Sequence, residues 1–123
     1  HYDSSSKYID LAFIQEPNNI ICLFLQAKIY IIEKKYKKAL KFLNECEKFP
    51  SINEEVFYEK SYIYMNEHKF EKAYDYFCKL VEINYGITEN HLMVIKCLIL
   101  QDKIIQAKIY YSQIHESNTV KIE

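Results

Sequence analysis

Apolar residues recur along this chain with helical spacing. Over 20–33 they nearly fill the segment, with Gln26 and Lys28 as interruptions. A helix apolar on most sides packs against neighbours on more than one face. Ala39, Leu40, Phe42 and Leu43 instead mark one side of an amphipathic helix. The spacing predicts helices over 4–16, 20–33, 37–49, 54–67, 71–84, 88–101 and 104–116. Pro17 and Pro50 end the helices before them, because proline lacks the amide hydrogen and crowds the preceding turn. Ser51 and Asn53 are placed to cap the helix that starts near Glu54, and Thr88 the one at Glu89. Gly86 is expected to end its helix in the left-handed conformation. The turns Lys34–Lys35, His68–Lys69 and Asp102–Lys103 are polar and short, so consecutive helices form antiparallel hairpins.

Ala39, Ala73 and Ala107 recur every 34 residues. Each follows an apolar residue in a Lys-rich turn (Tyr36, Phe70, Ile104). Each precedes a large one by four positions (Leu43, Phe77, Tyr111). A fixed period of this length marks a helical repeat array. Such arrays rarely carry chemistry of their own; they carry surfaces.

The pattern resembles the tetratricopeptide repeat. From Ile20, the family's signature positions fall on Ala27, Tyr30, Tyr36, Ala39, Leu43 and Cys46. From Glu54 they fall on Ser61, Tyr64, Phe70, Ala73, Phe77 and Leu80. From Thr88 they fall on Ile95, Leu98, Ile104, Ala107, Tyr111 and Ile114. Half a repeat precedes these, with Ile9, Ala12 and Pro17 in place. The resemblance implies an all-α, right-handed superhelical solenoid of antiparallel hairpins with about seven helices. It implies a leading helix over 1–17, repeats over 20–53, 54–87 and 88–118, and a tail over 119–123. The small residues sit where the helices of a hairpin touch. The third repeat departs, with Ile95 at a small position and His91 at an aromatic one, so looser packing or a shifted helix is expected there. Lys34, His68 and Asp102 stand where the family carries a turn glycine. An isolated leading half repeat suggests either a fragment of a longer array or an extra cap. The last helix is expected to expose Ile109 and Tyr110 or to bury them in a partner.

Composition removes most other functions. Half of the residues are apolar and 27% are charged, which fits an ordered domain. The net charge of −1 gives no global attraction to nucleic acid or anionic membrane. The longest apolar run, Ile20–Leu25, is too short to span a bilayer. The lysines from Lys34 to Lys41 are balanced by Glu33, Glu45 and Glu47 and read as a solvated face. A single glycine excludes glycine-rich phosphate loops. The histidines and the four cysteines lack ligand spacing, so neither metal nor cofactor is expected. Cys22, Cys46, Cys78 and Cys97 read as reduced thiols of an intracellular protein, cytoplasmic or nuclear.

In the family, the first helix of each hairpin lines a concave groove. The groove residues here are Phe24, Lys28, Tyr58, Glu59, Tyr62, Met65, Leu92, Met93 and Lys96. Ile21, Leu25, Ile31 and Ile32 extend its apolar character, and Glu55, Glu59 and Glu89 are expected to give it a negative flank. An apolar patch of this kind marks an interaction site. The expected partner is a protein or peptide with apolar anchors and basic flanks, or a second copy of this chain. Family members that hold acidic chaperone tails use Lys, Asn and Arg where this chain has Phe24, Lys28, Glu59, Glu89 and Met93; only Lys28 is basic, and Glu59 and Glu89 would repel a carboxylate, so that role is not expected. The sequence thus predicts a non-catalytic interaction module within a larger scaffold. The alternatives are a regulatory or targeting domain of a larger enzyme, and an RNA-binding helical repeat, which the apolar groove disfavours.

Overall fold

The computed structural model describes residues 19–122, with side chains described for 19–116. Among the described residues there are six α-helices, one 3₁₀ turn and no strand. The helices are α1 (Ile20–Ile32), α2 (Tyr36–Cys46), α3 (Asn53–Asn66), α4 (Phe70–Ile83), α5 (Thr88–Leu100) and α6 (Ile104–Ile122). The 3₁₀ turn is Pro50–Ile52. The expected helix over 4–16, with Ile9, Ala12 and Pro17, lies outside the described residues, as do the side chains of the expected tail. The chain divides into two compact units at Ile63–Tyr64, within α3.

Three turns share one backbone solution. The Lys34 amide donates to the Ile31 carbonyl and the Lys35 amide to the Tyr30 carbonyl, at 2.9 and 2.8 Å. His68 and Lys69 repeat this with Met65 and Tyr64, and Asp102 and Lys103 with Ile99 and Leu98. This pair of bonds is the Schellman motif, which needs a left-handed residue just past the helix end. Lys34, His68 and Asp102 supply it with φ of 62°, 60° and 62°. The turn glycine is therefore replaced without change of backbone, and each replacement holds a conformation that side chains disfavour.

Gly86, by contrast, is not left-handed. Helix α4 ends through Asn84, which is extended at φ −145°, and the Gly86 amide donates to Asn84 Oδ1 at 3.1 Å. An Asx turn thus does the work expected of the glycine. Thr88 does not cap α5; the capping position is Ile87, without a side-chain bond. Asn53 is the first residue of α3, and its buried Oδ1 has no hydrogen-bond partner, so it does not cap that helix. A side-chain cap is present at Asn19, whose Oδ1 accepts from the amides of Ile21 and Cys22. Helix α2 ends at Cys46, earlier than expected, because Phe49 must be extended before Pro50. Helix α6 runs on to Ile122.

In the first unit, Ala27, Ala39, Leu43 and Cys46 are wholly buried. Tyr30 lies 5.7 Å from Phe42, centroid to centroid, with the Lys38 ammonium over its ring. Ser61 replaces an alanine at full burial and donates its hydroxyl to the Phe57 carbonyl at 2.7 Å. That bond removes the cost of burying it. In the second unit, Ala73, Phe77, Leu80, Val94 and Cys97 form the core. Tyr64, Tyr76 and Lys72 repeat the ring and ammonium arrangement 34 positions later. The α5–α6 hairpin lacks it and is packed less closely than α1–α2. Its Tyr110 turns instead to His91.

Candidate protein-binding surface

In the first unit, Lys28, Tyr58, Glu59 and Tyr62 border one cavity, whereas Phe24, also expected to line the groove, does not. Tyr58 and Tyr62 are 55% and 47% exposed, although an apolar ring normally gains by burial. They stand one helical turn apart on α3, as i, i+4 spacing requires. With Ile31, Ile32, Tyr36 and Lys34 they border a cavity of about 310 Å³. Phe24 is half-buried and Ile31 buried, so part of the predicted apolar face serves the core. Ile21, Leu25 and Ile32 remain exposed.

Glu59 departs from expectation. It is only 7% exposed, and Lys28 Nζ donates to its Oε2 at 2.8 Å. The pair cancels in charge, so Glu59 does not give the opening a negative flank. Glu55 is exposed, and Lys34 brings a positive charge to the mouth.

In the second unit, Leu92, Ile99 and Leu100 on α5 are exposed, and Lys96 and Glu89 share that exposure. Met93 is half-buried. Met65 is also half-buried, and its sulfur accepts from the Cys97 thiol at 3.6 Å. It anchors packing as well as offering surface. On α6, Ile105 and Ile109 are exposed, as expected for Ile109. Tyr110 is half-buried, held against His91 rather than offered to a partner.

Two buried polar arrangements were not foreseen. Lys60 is 3% exposed, with its Nζ donating to Asn44 Oδ1 and Glu47 Oε1 at 2.6 and 2.5 Å. No charge pattern in the sequence distinguishes Lys60 from the exposed lysines of this chain. His91 is 4% exposed. Its Nε2 lies 2.6 Å from the Tyr85 carbonyl, so that nitrogen carries the proton and donates. Nδ1 then accepts from the Tyr110 hydroxyl at 2.7 Å. The anomalous histidine at an aromatic position was the available signal.

All four cysteines are free thiols. Burial pushes the Cys46 and Cys97 thiols up to about 11, which suppresses the thiolate at neutral pH. Burial likewise pushes the Tyr110 phenol up to about 12. No group of three or more His, Cys, Asp or Glu side chains among the described residues could hold a metal ion. No described helix is long and apolar enough to cross a membrane.

Comparison with known proteins bears on the family and the fold. Residues 11–86 match the family described as Iml2/Tetratricopeptide repeat protein 39. A curated relative, the "BBSome complex member BBS4 homolog" of Drosophila melanogaster, is 26% identical over 113 residues. That match takes in 91% of this chain but 23% of the relative. Among solved structures, "MamA 41-end from Desulfovibrio magneticus RS-1" superposes with a TM-score of 0.78 at 16% identity. It covers 99% of this chain and 69% of that one. "MamA MSR-1 C2" superposes at 0.75 and 16% identity, covering 98% and 69%. At such identities the likeness is one of fold: an all-α solenoid of antiparallel helix hairpins.

Proposed function

Because the chain belongs to the Iml2/tetratricopeptide repeat protein 39 family, we propose that it is a non-catalytic segment of a larger intracellular scaffold. Its fold is that of a protein-interaction module, and its partner is an apolar peptide or helix. The partner lies on the faces of the first helices of the repeats 20–53, 54–87 and 88–118. Phe24, Lys28, Tyr58, Glu59 and Tyr62 serve in the first unit, and Met65, Leu92, Met93 and Lys96 in the second. The observation that carries this reading is the exposure of Tyr58, Tyr62 and Leu92, three large side chains that folding leaves in water. Rigid rings and long apolar side chains of this kind dominate binding at interfaces.

Lys28 and Glu59 act together as an ion pair at the cavity rather than attracting charge. Glu55 and Glu89, both exposed, favour Lys or Arg beside the partner's apolar anchors. The fly relative's description as a BBSome complex member supports a place in a multi-subunit complex.

Peptide-display selection against the immobilised domain tests this reading. Enriched sequences should pair apolar anchors with Lys or Arg. The enrichment should survive Lys38→Glu, on the second helix of its hairpin, and vanish with Tyr62→Ala or Met93→Glu. Enrichment lost only with Lys38→Glu would move the working surface to the other side.

A further inference from the structure

The second unit holds a cavity of about 310 Å³ that, apart from Leu92, uses none of the residues proposed above. Its origin is legible in the repeat. Where the first two repeats place Ala27 and Ser61 at full burial, the third places Ile95. Beside that larger side chain α5 and α6 are more sparsely packed than α1 and α2. The gap opens between the start of α5 and the later turns of α6.

Rings dominate its lining. Tyr111 and His115 stack with centroids 6.2 Å apart and planes inclined by 5°. His91 meets Tyr85 edge to face at 4.6 Å, and its two hydrogen bonds fix its orientation. Ile95 and Ile114 complete the lining with apolar surface, and Thr88 adds a hydroxyl. No carboxylate or ammonium group lines it. A charged occupant would lose its hydration there with no opposite charge to replace it. The volume lies at the low end for ligand sites, near 300 Å³, and suits one bulky group rather than a helix.

We propose that this cavity binds a neutral aromatic side chain presented by a protein partner, and that an indole fits it best. A flat ring can lie against the Tyr111–His115 stack in the offset or edge geometries that aromatic quadrupoles favour. The indole N–H can donate to the hydroxyl of Thr88 or Tyr111.

The chain contains no tryptophan, so an added indole reports its own surroundings. N-acetyltryptophanamide should show a saturable blue shift of emission on titration with the protein. N-acetylphenylalaninamide should compete, and N-acetylleucinamide should not. A pentapeptide with a central tryptophan between glycines should bind as well as the amide. Tyr111→Ala, at an exposed position, should weaken binding at least about tenfold. Lys38→Glu, on α2 of the first unit, should leave it unchanged. Amide shifts on adding the probe should cluster at 85–92 and 111–115, which tests the site without any variant. Absence of saturation, equal competition by the leucine compound, shifts clustered elsewhere or unaltered affinity in Tyr111→Ala would overturn the assignment. Binding of the amide without binding of the pentapeptide would overturn the partner side chain as its source.

Discussion

Lys28 on α1 and Glu59 on α3 form an ion pair at 2.8 Å in which the carboxylate is almost wholly withdrawn from water. Removing one partner leaves a buried charge uncompensated, which costs more than the pair contributes. The lysine is partly exposed, so water can offset some of the loss. Lys28→Met should therefore destabilise by about 1–2 kcal/mol in urea unfolding. Adding Glu59→Leu should restore most of that. No recovery in the double variant would mean that the lysine acts through its stem rather than its charge.

The left-handed turns give a second, opposite-signed pair of expectations. Lys34→Gly should be neutral or stabilise by roughly 0.5 kcal/mol, the relieved strain outweighing the added unfolded-state entropy. Lys34→Val should destabilise, because a β-branched side chain tolerates positive φ least. Gly86→Ala should be tolerated, since its φ is not positive and an added Cβ would stand 3.4 Å from Asn84 Oδ1. Thermal melts in which Gly86→Ala unfolds and Lys34→Gly loses stability would reverse the assignment of the two turn types.

Ala73 is fully buried at the middle of the three alanines. Ala73→Leu should overpack that site and cost on the order of 1–3 kcal/mol. An unchanged denaturation midpoint would contradict the close helix contact inferred from the alanine register.

These contacts show what could be read from the sequence. The alanine interval specified the helical hairpins because burial of small residues is a periodic, local demand. Tyr58 and Tyr62 were legible as surface because helical spacing separates them from buried Phe57, Ser61 and Ile63. Glu59 was not, since its fate depends on Lys28, distant in sequence and brought near only by folding. Gly86 misled because a glycine signals freedom, whereas Asn84 supplied a side-chain turn that made left-handed geometry unnecessary. Lys60 carried no sequence signal at all; its burial is decided by Asn44 and Glu47 on the neighbouring hairpin.

The thiols supply a pH test. Denatured, unreduced protein should titrate four reactive groups. In the native state Cys46 and Cys97 should react slowly at pH 8, because burial raises both from 9.0 to about 11. A raised folded pKa favours the protonated form, so the associated stability is present below pH 9 and lost as pH rises toward 11. Stability should therefore begin to fall above about pH 9. Fewer than four groups after denaturation would require disulfides.

The central claim is that the first helices of the repeats carry the binding surface. Fluorescence anisotropy of a labelled display-selected peptide measures this directly, using wild type, Tyr62→Ala, Met93→Glu and Lys38→Glu. The account predicts at least about tenfold weaker binding for each of the first two variants and no change for Lys38→Glu. Affinity unaltered in Tyr62→Ala and Met93→Glu but lost in Lys38→Glu would contradict it.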